Sequence, residues 1–268
     1  MSGAAVDLFS PAGHDALARL ASRPAIYAFD FDGTLAPIVE RPDDAGASAA
    51  TVAALSSLGA RVPVALLTGR GVDDLRRRIA FTPRYLVGNH GAEGLPDSPD
   101  PAASGDADEH RTVVRRWLAQ WPAAVAATGG DDAGVEVEAK SFSLSIHYRR
   151  ARDHAAACRT IERAMAALDP APRVIGGKCV FNVLPDGAPD KGQALRALVR
   201  HERCDGAFFI GDDVTDEVAF QDAPASWVTV RVGRSDDSAA RFYIERQDEI
   251  DRCLALLLAV VGVPARSA

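Results

Sequence analysis

AIYAFDFDGTL, residues 25–35, opens as an unbroken apolar run and closes on two carboxylates, Asp30 and Asp32, with a Gly-Thr pair behind them. An apolar run without polar alternation is a strand buried on both faces, the setting of a parallel sheet covered by helices. RVPVALLTGR (61–70), RYLVGNHGAE (84–93), GAFFIGDDVTDEVAF (206–220) and SWVTVRVG (226–233) repeat the pattern. Segments of helical spacing lie between these runs at 11–23, 48–60, 72–80 and 189–201, and a closing helix is expected over 246–261. Apolar strands alternating with helices predict an α/β fold with a Rossmann-like parallel sheet core.

The texture changes at residue 96. PDSPDPAASGDADEH (96–110) is rich in Pro, Ser, Gly and Asp and reads as a linker or surface loop. A helix follows over 111–128. GVEVEAK and SFSLSIHYRR then alternate apolar and polar residues like half-exposed antiparallel strands, with a turn near Lys140 and Ser141 where the phase slips. A further helix over 153–168 and one or two strands over 173–185 complete the block. Residues 96–184 are therefore expected to form an inserted α+β module, and 1–95 with 185–268 the core.

Composition narrows the function. The 268 residues carry a formal charge of −7, which argues against a general nucleic-acid-binding role. An anionic substrate would need a local positive site or a bound cation. The cysteines at 158, 179, 204 and 253 form no C-x-x-C pattern and read as reduced thiols. The N-terminus has no basic start and no apolar signal-peptide segment. The longest apolar stretch, CLALLLAVVGVPA (253–265), is too short to span a bilayer. These features predict a cytoplasmic protein with no nucleic-acid or membrane partner, and a monomer is the default expectation.

Polar groups gather at the expected strand ends: Asp30, Asp32 and Thr34; Thr68 and Arg70; Asp212, Asp213 and Asp216; and Lys191 at a helix start. In an open parallel sheet, ligands bind outside the carboxyl ends of the strands. Taken singly, Thr68 reads as the cap of the following helix, and Thr215 as the cap of the helix carrying Asp216 and Glu217. Two features resist that account. A lysine in a first helical turn is disfavoured by the macrodipole unless an anion lies nearby. Four neighbouring carboxylates repel one another unless a cation holds them, and an all-oxygen donor set points to Mg²⁺. A carboxylate beside such an ion can attack phosphorus, and a second carboxyl can protonate the leaving oxygen and then activate water.

These residues resemble the haloacid dehalogenase-like phosphohydrolases. DFDGTL (30–35) is similar to their first motif, LLTGR (66–70) to the second, Lys191 in DKG to the third and GDDVTDE (211–217) to the fourth. Within that superfamily, GNHGAE (88–93), EAKSFSLSIHYR (138–149), GGKCVFNVLPDGAPDKG (176–192) and GDDVTDEVAF (211–220) resemble the trehalose-6-phosphate phosphatases. The resemblance implies Mg²⁺-dependent hydrolysis of that sugar phosphate, with the inserted block acting as a substrate-specificity cap.

By the same resemblance, Asp30 is the nucleophile and Asp32 the general acid/base, and Thr68 and Lys191 hold the phosphoryl group. Mg²⁺ is expected at Asp30, Asp32 (through its backbone carbonyl), Asp212 and Asp213, with Asp216 close by. Thr34, Arg70, Asn89 and His90 are expected to line the substrate site with Asp30 and Asp32, and Glu138, Lys140 and Arg149 to contact the sugar. The family usually carries Glu where this chain has Asn182, which still donates and accepts hydrogen bonds but lacks the charge. A phosphatase of another sugar phosphate, such as sucrose phosphate or a glycosyl-phosphoglycerate, or a phosphomutase, stands as the alternative.

Overall fold

The computed structural model describes residues 5–39, 41–96, 105–130, 132–177 and 179–262. In chain order the elements are β1 (Val6–Asp7), α1 (Pro11–Ala21), β2 (Ala25–Phe29), α2 (Ala49–Gly59), β3 (Val64–Leu67), α3 (Val72–Arg78), β4 (Tyr85–Val87), α4 (Gly105–Thr128), β5 (Glu136–Ala139), β6 (Leu144–His147) and α5 (His154–Ala166). There follow β7 (Arg173–Gly177), β8 (Val180–Leu184), α6 (Lys191–His201), β9 (Gly206–Gly211), α7 (Val214–Gln221), β10 (Val228–Val232), β11 (Phe242–Ile244) and α8 (Ile250–Val261). The chain divides into two compact units, residues 1–97 with 190–268, and residues 98–189.

The first unit is built on a seven-stranded sheet in the order β1-β11-β10-β9-β2-β3-β4, and every pairing in it is parallel. The apolar runs that predicted it are split by parity, because successive side chains of a strand point to opposite faces. Tyr27, Phe29, Leu66, Phe208 and Val230 join one core with Leu17, Leu20, Leu55, Leu58, Leu254 and Leu257, which come from α1, α2 and α8. Ile26, Ala28, Ala65, Leu67, Ala207 and Phe209 join a second core with Leu195 and Leu198 of α6 and Phe220 of α7. A sheet with two buried faces cannot show polar alternation, and β2 is buried at every position.

Chain order fixes where a site can form. From β2 the sheet grows through β3 and β4 on one side and through β9, β10 and β11 on the other. Connections therefore diverge at the carboxyl ends of β2 and β9, leaving a crevice there.

The second unit pairs β5-β6-β8-β7 in an antiparallel sheet. One face carries Leu144, Ile146 and Val183 against Trp117 and Trp121 of α4 and Ile161 and Met165 of α5. Trp117 is fully buried, and its Nε1 donates to the Pro170 carbonyl at 2.7 Å. The turn between β5 and β6 falls at 140–143, where the sequence phase slips.

Several boundaries differ from the sequence reading. The strand expected over 25–32 stops at Phe29, because residues 31–36 fold into a turn. Of the linker expected over 96–110, residues 97–104 lie outside the described residues, and 105–110 already belong to α4. The closing helix begins at Ile250 rather than 246, after a 3-10 turn at 247–249. Among the described residues, no helix is long and apolar enough to cross a membrane.

Trp117 gives a direct test of the second core. Trp117→Ala removes a fully buried indole and its hydrogen bond, and the expected cost is about 3–5 kcal/mol. Urea unfolding followed by the remaining tryptophans measures it, and a loss below about 1 kcal/mol would contradict this packing.

Candidate active site

β2 ends one residue before Asp30, whose backbone N–H continues the sheet by donating to the Ile210 carbonyl of β9 at 2.9 Å. The chain then turns back: Gly33 N–H donates to Ala36 O at 2.8 Å and Ala36 N–H to Phe31 O at 2.9 Å. Gly33 holds a φ of +83°, and a Cβ there would lie 2.1 Å from Asp212 Oδ2. Only glycine allows this turn to approach the carboxylate after β9 so closely. Thr34 Oγ1 reaches Asp212 Oδ1 at 3.5 Å, and Gln247 Nε2 holds the Thr34 carbonyl at 3.0 Å.

Lys191 opens α6. Asp190 caps the helix, accepting from Gln193 N–H at 2.8 Å, while Gln193 returns a bond to the Asp190 N–H. The lysine so placed is 2% exposed. Its Nζ donates to Asp30 Oδ1 at 2.6 Å and to Asp216 Oδ1 at 2.8 Å. The anion that the first-turn lysine required is thus a pair of carboxylates. Burial works to lower the Lys191 pKa, but Asp216 and Asp30 outweigh it and the pKa is raised. Asp216 Oδ2 accepts from the Asp213 backbone N–H at 3.0 Å. Asp213, not Thr215, occupies the N-cap position of α7.

Acid oxygens from Asp30, Asp212 and Asp216 all lie within 4.8 Å of one another. Burial pushes the Asp30 pKa well above the usual carboxylate range, with Asp216 and Asp212 adding to the rise against the pull of Lys191. Burial, then Asp216 and Asp213, push Asp212 up to about 7. Buried carboxyls crowded by other carboxyls are relieved by a bound cation. Hard oxygen donors in that condition fit a divalent cation such as Mg²⁺. Among side chains, Asp216 stands in this group where Asp213 was expected from sequence; Asp32 was expected to contribute its backbone carbonyl, on which a group of side-chain oxygens does not bear.

Asp32 points to other partners. Arg70 grips it with both prongs, Nε to Oδ2 and Nη2 to Oδ1, each at 2.7 Å. The guanidinium lies over the Phe31 ring at 5.9 Å, and its Nη1 donates to Asp74 Oδ2 at 2.9 Å.

Residues 88–93 hold the Thr68–Arg70 loop from behind. Asn89 N–H donates to Arg70 O at 2.8 Å and His90 N–H to Thr68 O at 2.9 Å. Both residues are buried with positive φ, 48° and 58°. A Cβ on Gly69 would come within 2.5 Å of the His90 ring, so the loop lies flat on it. Thr68 Oγ1 accepts from Arg70 N–H at 3.1 Å, and the N-cap of α3 is Gly71 rather than Thr68. Glu93 takes over the capping: its Oε2 accepts from Val72 N–H at 3.0 Å and from Asn89 Nδ2 at 2.7 Å.

Glu138, Lys140, Arg149 and Asn182 belong to the second unit. Glu138 Oε2 lies 3.1 Å from His147 Nε2 and 3.8 Å from Lys140 Nζ. Arg149 is exposed in the turn after β6. Asn182 is buried, and its Oδ1 accepts from Ser145 Oγ at 2.9 Å. Glu138, Ser145 and Asn182 stand in register across β5, β6 and β8, a polar row on the sheet face opposite Leu144, Ile146 and Val183.

Sequence reasoning missed Glu93, Asp74 and Ser145. The spacing of Arg70, Asp74 and Arg78, four residues apart each time, was the available signal for Asp74. Ser145 was visible only as one polar residue on the polar face of an alternating strand.

The sequence model of the trehalose-phosphatase family matches residues 28–242. The trehalose-phosphate phosphatase of Mycobacterium avium (strain 104) is 36% identical over 265 residues, covering 96% of this chain and 62% of that protein. That of Mycobacterium tuberculosis (strain ATCC 25618 / H37Rv) is 34% identical over 266 residues, covering 93% and 60%. The chain thus spans less than two thirds of the length of these curated relatives. Among solved structures, the C-terminal domain of the Candida albicans trehalose-6-phosphate phosphatase aligns over 96% of this chain and 99% of its own, with a TM-score of 0.71 at 22% identity. At that identity the likeness is one of fold.

The raised Asp212 pKa carries a stability prediction. Between 3.8, its ordinary value, and about 7, the folded chain keeps a proton that the unfolded chain has released. The unfolded state then binds fewer protons, so this group makes stability fall as pH rises through that interval. In EDTA, the Tm of the parent is expected to fall from pH 4 to 7 more steeply than that of Asp212→Asn. At pH 7, Mg²⁺ is expected to raise the Tm of the parent and not that of the variant. Equal slopes in thermal scans would contradict the assignment.

Proposed function

The chain belongs to the trehalose-phosphatase family, and from that membership we propose that it is a Mg²⁺-dependent phosphatase converting trehalose 6-phosphate to trehalose and phosphate through an aspartyl-phosphate on Asp30. The observation that carries this reading is the buried Asp30–Lys191–Asp216 triad, with Lys191 Nζ 2.6 Å from Asp30 Oδ1, at the carboxyl end of β2.

In this reading Asp30 donates an oxygen lone pair to phosphorus as the bond from phosphorus to the sugar oxygen breaks. Lys191, already on Asp30 Oδ1, supports the carboxylate and offers its remaining N–H to the phosphoryl oxygens, beside the Thr68 hydroxyl. The Asp32 carboxyl gives its proton to the departing sugar oxygen. As a carboxylate, it then takes a proton from the water that attacks phosphorus, releasing phosphate and restoring Asp30. Mg²⁺ held by Asp30, Asp212 and Asp216 would neutralise phosphoryl charge. Thr34 and Arg70 are substrate-site residues in this reading, and Asn89 and His90 support it by holding the Thr68–Arg70 loop. Residues 98–189 serve as the cap, with Glu138, Lys140, Arg149 and Asn182 offering donors and acceptors to sugar hydroxyls.

One observation keeps a second sugar phosphate in view. Asn182 presents an amide whose oxygen already accepts from Ser145, in place of a charged acceptor. Phosphate release is therefore measured over trehalose 6-phosphate, sucrose 6-phosphate, glucose 6-phosphate and glucosyl-3-phosphoglycerate, with Mg²⁺ and with EDTA. Mg²⁺-dependent release from trehalose 6-phosphate is expected, abolished in Asp30→Asn while the fold is kept. Release from another member alone would move the substrate, and appreciable hydrolysis by Asp30→Asn would overturn the nucleophile assignment.

A further inference from the structure

The Arg70 clamp on Asp32 is one link of a longer chain of alternating charge. Asp32 binds Arg70 through two hydrogen bonds, and Arg70 Nη1 donates to Asp74 Oδ2 at 2.9 Å. Asp74 then accepts from Arg78, Nε to Oδ2 at 2.9 Å and Nη2 to Oδ1 at 2.9 Å, and from Arg77 Nη2 at 3.3 Å. Arg78 reaches on to Asp43, Nη1 to its carbonyl at 2.6 Å and Nη2 to Oδ1 at 2.8 Å. The Arg70 and Arg78 side chains are each 12% exposed, while Asp43 and Arg77 at the outer end of the network lie in solvent.

Asp74 sits at its centre. Arg70, Arg77 and Arg78 all converge on its two oxygens, and the hydrogen bonds from Arg78 and Arg70 bring its pKa down to about 2 although burial pulls the other way. Without Asp74, guanidinium groups would face one another across a short gap. Arg70 would lose the partner that fixes its third nitrogen, while Nε and Nη2 alone still reached for Asp32. A forked donor directs its partner only as well as its own plane is held.

We propose that Asp74 is a positioning residue: it holds the Arg70 guanidinium in the orientation that clamps Asp32, and so aims the carboxyl that moves protons to the leaving oxygen and from water. The second half of that statement rests on the phosphatase reading above; the first half rests on the geometry alone.

The test uses the full chain and the variants Asp74→Ala, Asp74→Asn and Asp74→Glu, with Asp73→Ala as control, since Asp73 is exposed and pairs only with Arg76 among its described contacts. Turnover is measured on trehalose 6-phosphate and on p-nitrophenyl phosphate, whose leaving oxygen departs without a proton. For Asp74→Ala, kcat on trehalose 6-phosphate is expected to fall roughly 10- to 100-fold, the scale of a misaimed catalytic group, with KM within about threefold. The first turnover on p-nitrophenyl phosphate is expected to stay within about threefold of the parent. Asp74→Glu should recover most of the loss and Asp74→Asn part of it.

Kcat on the sugar phosphate within about twofold of the parent in Asp74→Ala would overturn the proposal, as would parallel losses on both substrates. A second readout does not depend on activity: the Arg70 Nε–Hε NMR signal, assigned by its loss in Arg70→Lys, should broaden or shift in Asp74→Ala and Asp74→Asn and persist in Asp73→Ala. An unchanged signal in the Asp74 variants would overturn the proposal. Absence of phosphate release by the parent from every sugar phosphate would sink the phosphatase reading alone, and the NMR result would still decide whether Asp74 holds Arg70.

Discussion

One buried ammonium, Lys191, lies between two buried carboxylates, Asp30 and Asp216, and the centre of the first unit is arranged around that contact. Removing three charged groups from water costs several kcal/mol each, and the mutual attraction returns it only with good geometry and further hydrogen bonds. Here the geometry comes from three separate places in the chain: the end of β2, the capped start of α6 and the first turn of α7 after β9. Each must be in register for the charges to meet. An apolar trio of the same volume would serve packing at least as well, so a charged trio in this place is better explained by chemistry than by stability.

The same centre crowds Asp30, Asp212 and Asp216 around one ammonium, and burial together with that crowding pushes the Asp30 and Asp212 carboxyls up. The chain accepts that repulsion at the mouth of a well-packed sheet, whose two cores are dense with Leu, Phe and Val. Some of the left-handed backbone among the described residues lies at the rim. Gly33 lies in the left-handed region beside Asp212, and Asn89 and His90 lie there beside the Thr68–Arg70 loop. The rigid elements behind these turns supply the stability that the turns give up.

Around Arg70 the logic is orientation rather than balance. The loop from Thr68 to Gly71 has no side chain of its own to cap α3, and Glu93 reaches over from the neighbouring loop to do so. Asn89 and His90 pin the loop's carbonyls, and Asp74 accepts from the remaining nitrogen of the guanidinium. Backbone from one strand end is thus held by backbone N–H groups and the Glu93 side chain of the next, a preorganisation that loops by themselves lack.

Much of this was legible beforehand. Runs such as AIYAF and VALL identify strands buried on both faces because their residue types leave no alternative, and motif order along the chain placed Asp30, Thr68, Lys191 and Asp212 at strand or helix ends. Local pattern also foretold that Lys191 needs an anion, since a first-turn lysine is costly without one. What pattern did not reveal is which anion. Asp213 and Asp216 lie three residues apart on one helical turn, and only the packing of α7 against α6 turned Asp216 toward Lys191 and left Asp213 at the N-cap. Glu93 capping α3 from 21 residues away, and Ser145 meeting Asn182 across two strands, depend on register and loop path. Sequence by itself determined the layers, the strand ends and the chemistry gathered at them, because those follow from hydrophobic period and residue type. Tertiary structure alone decided which charge pairs with which, because hydrogen bonds act over about 3 Å and that distance is set by the fold, not by spacing along the chain.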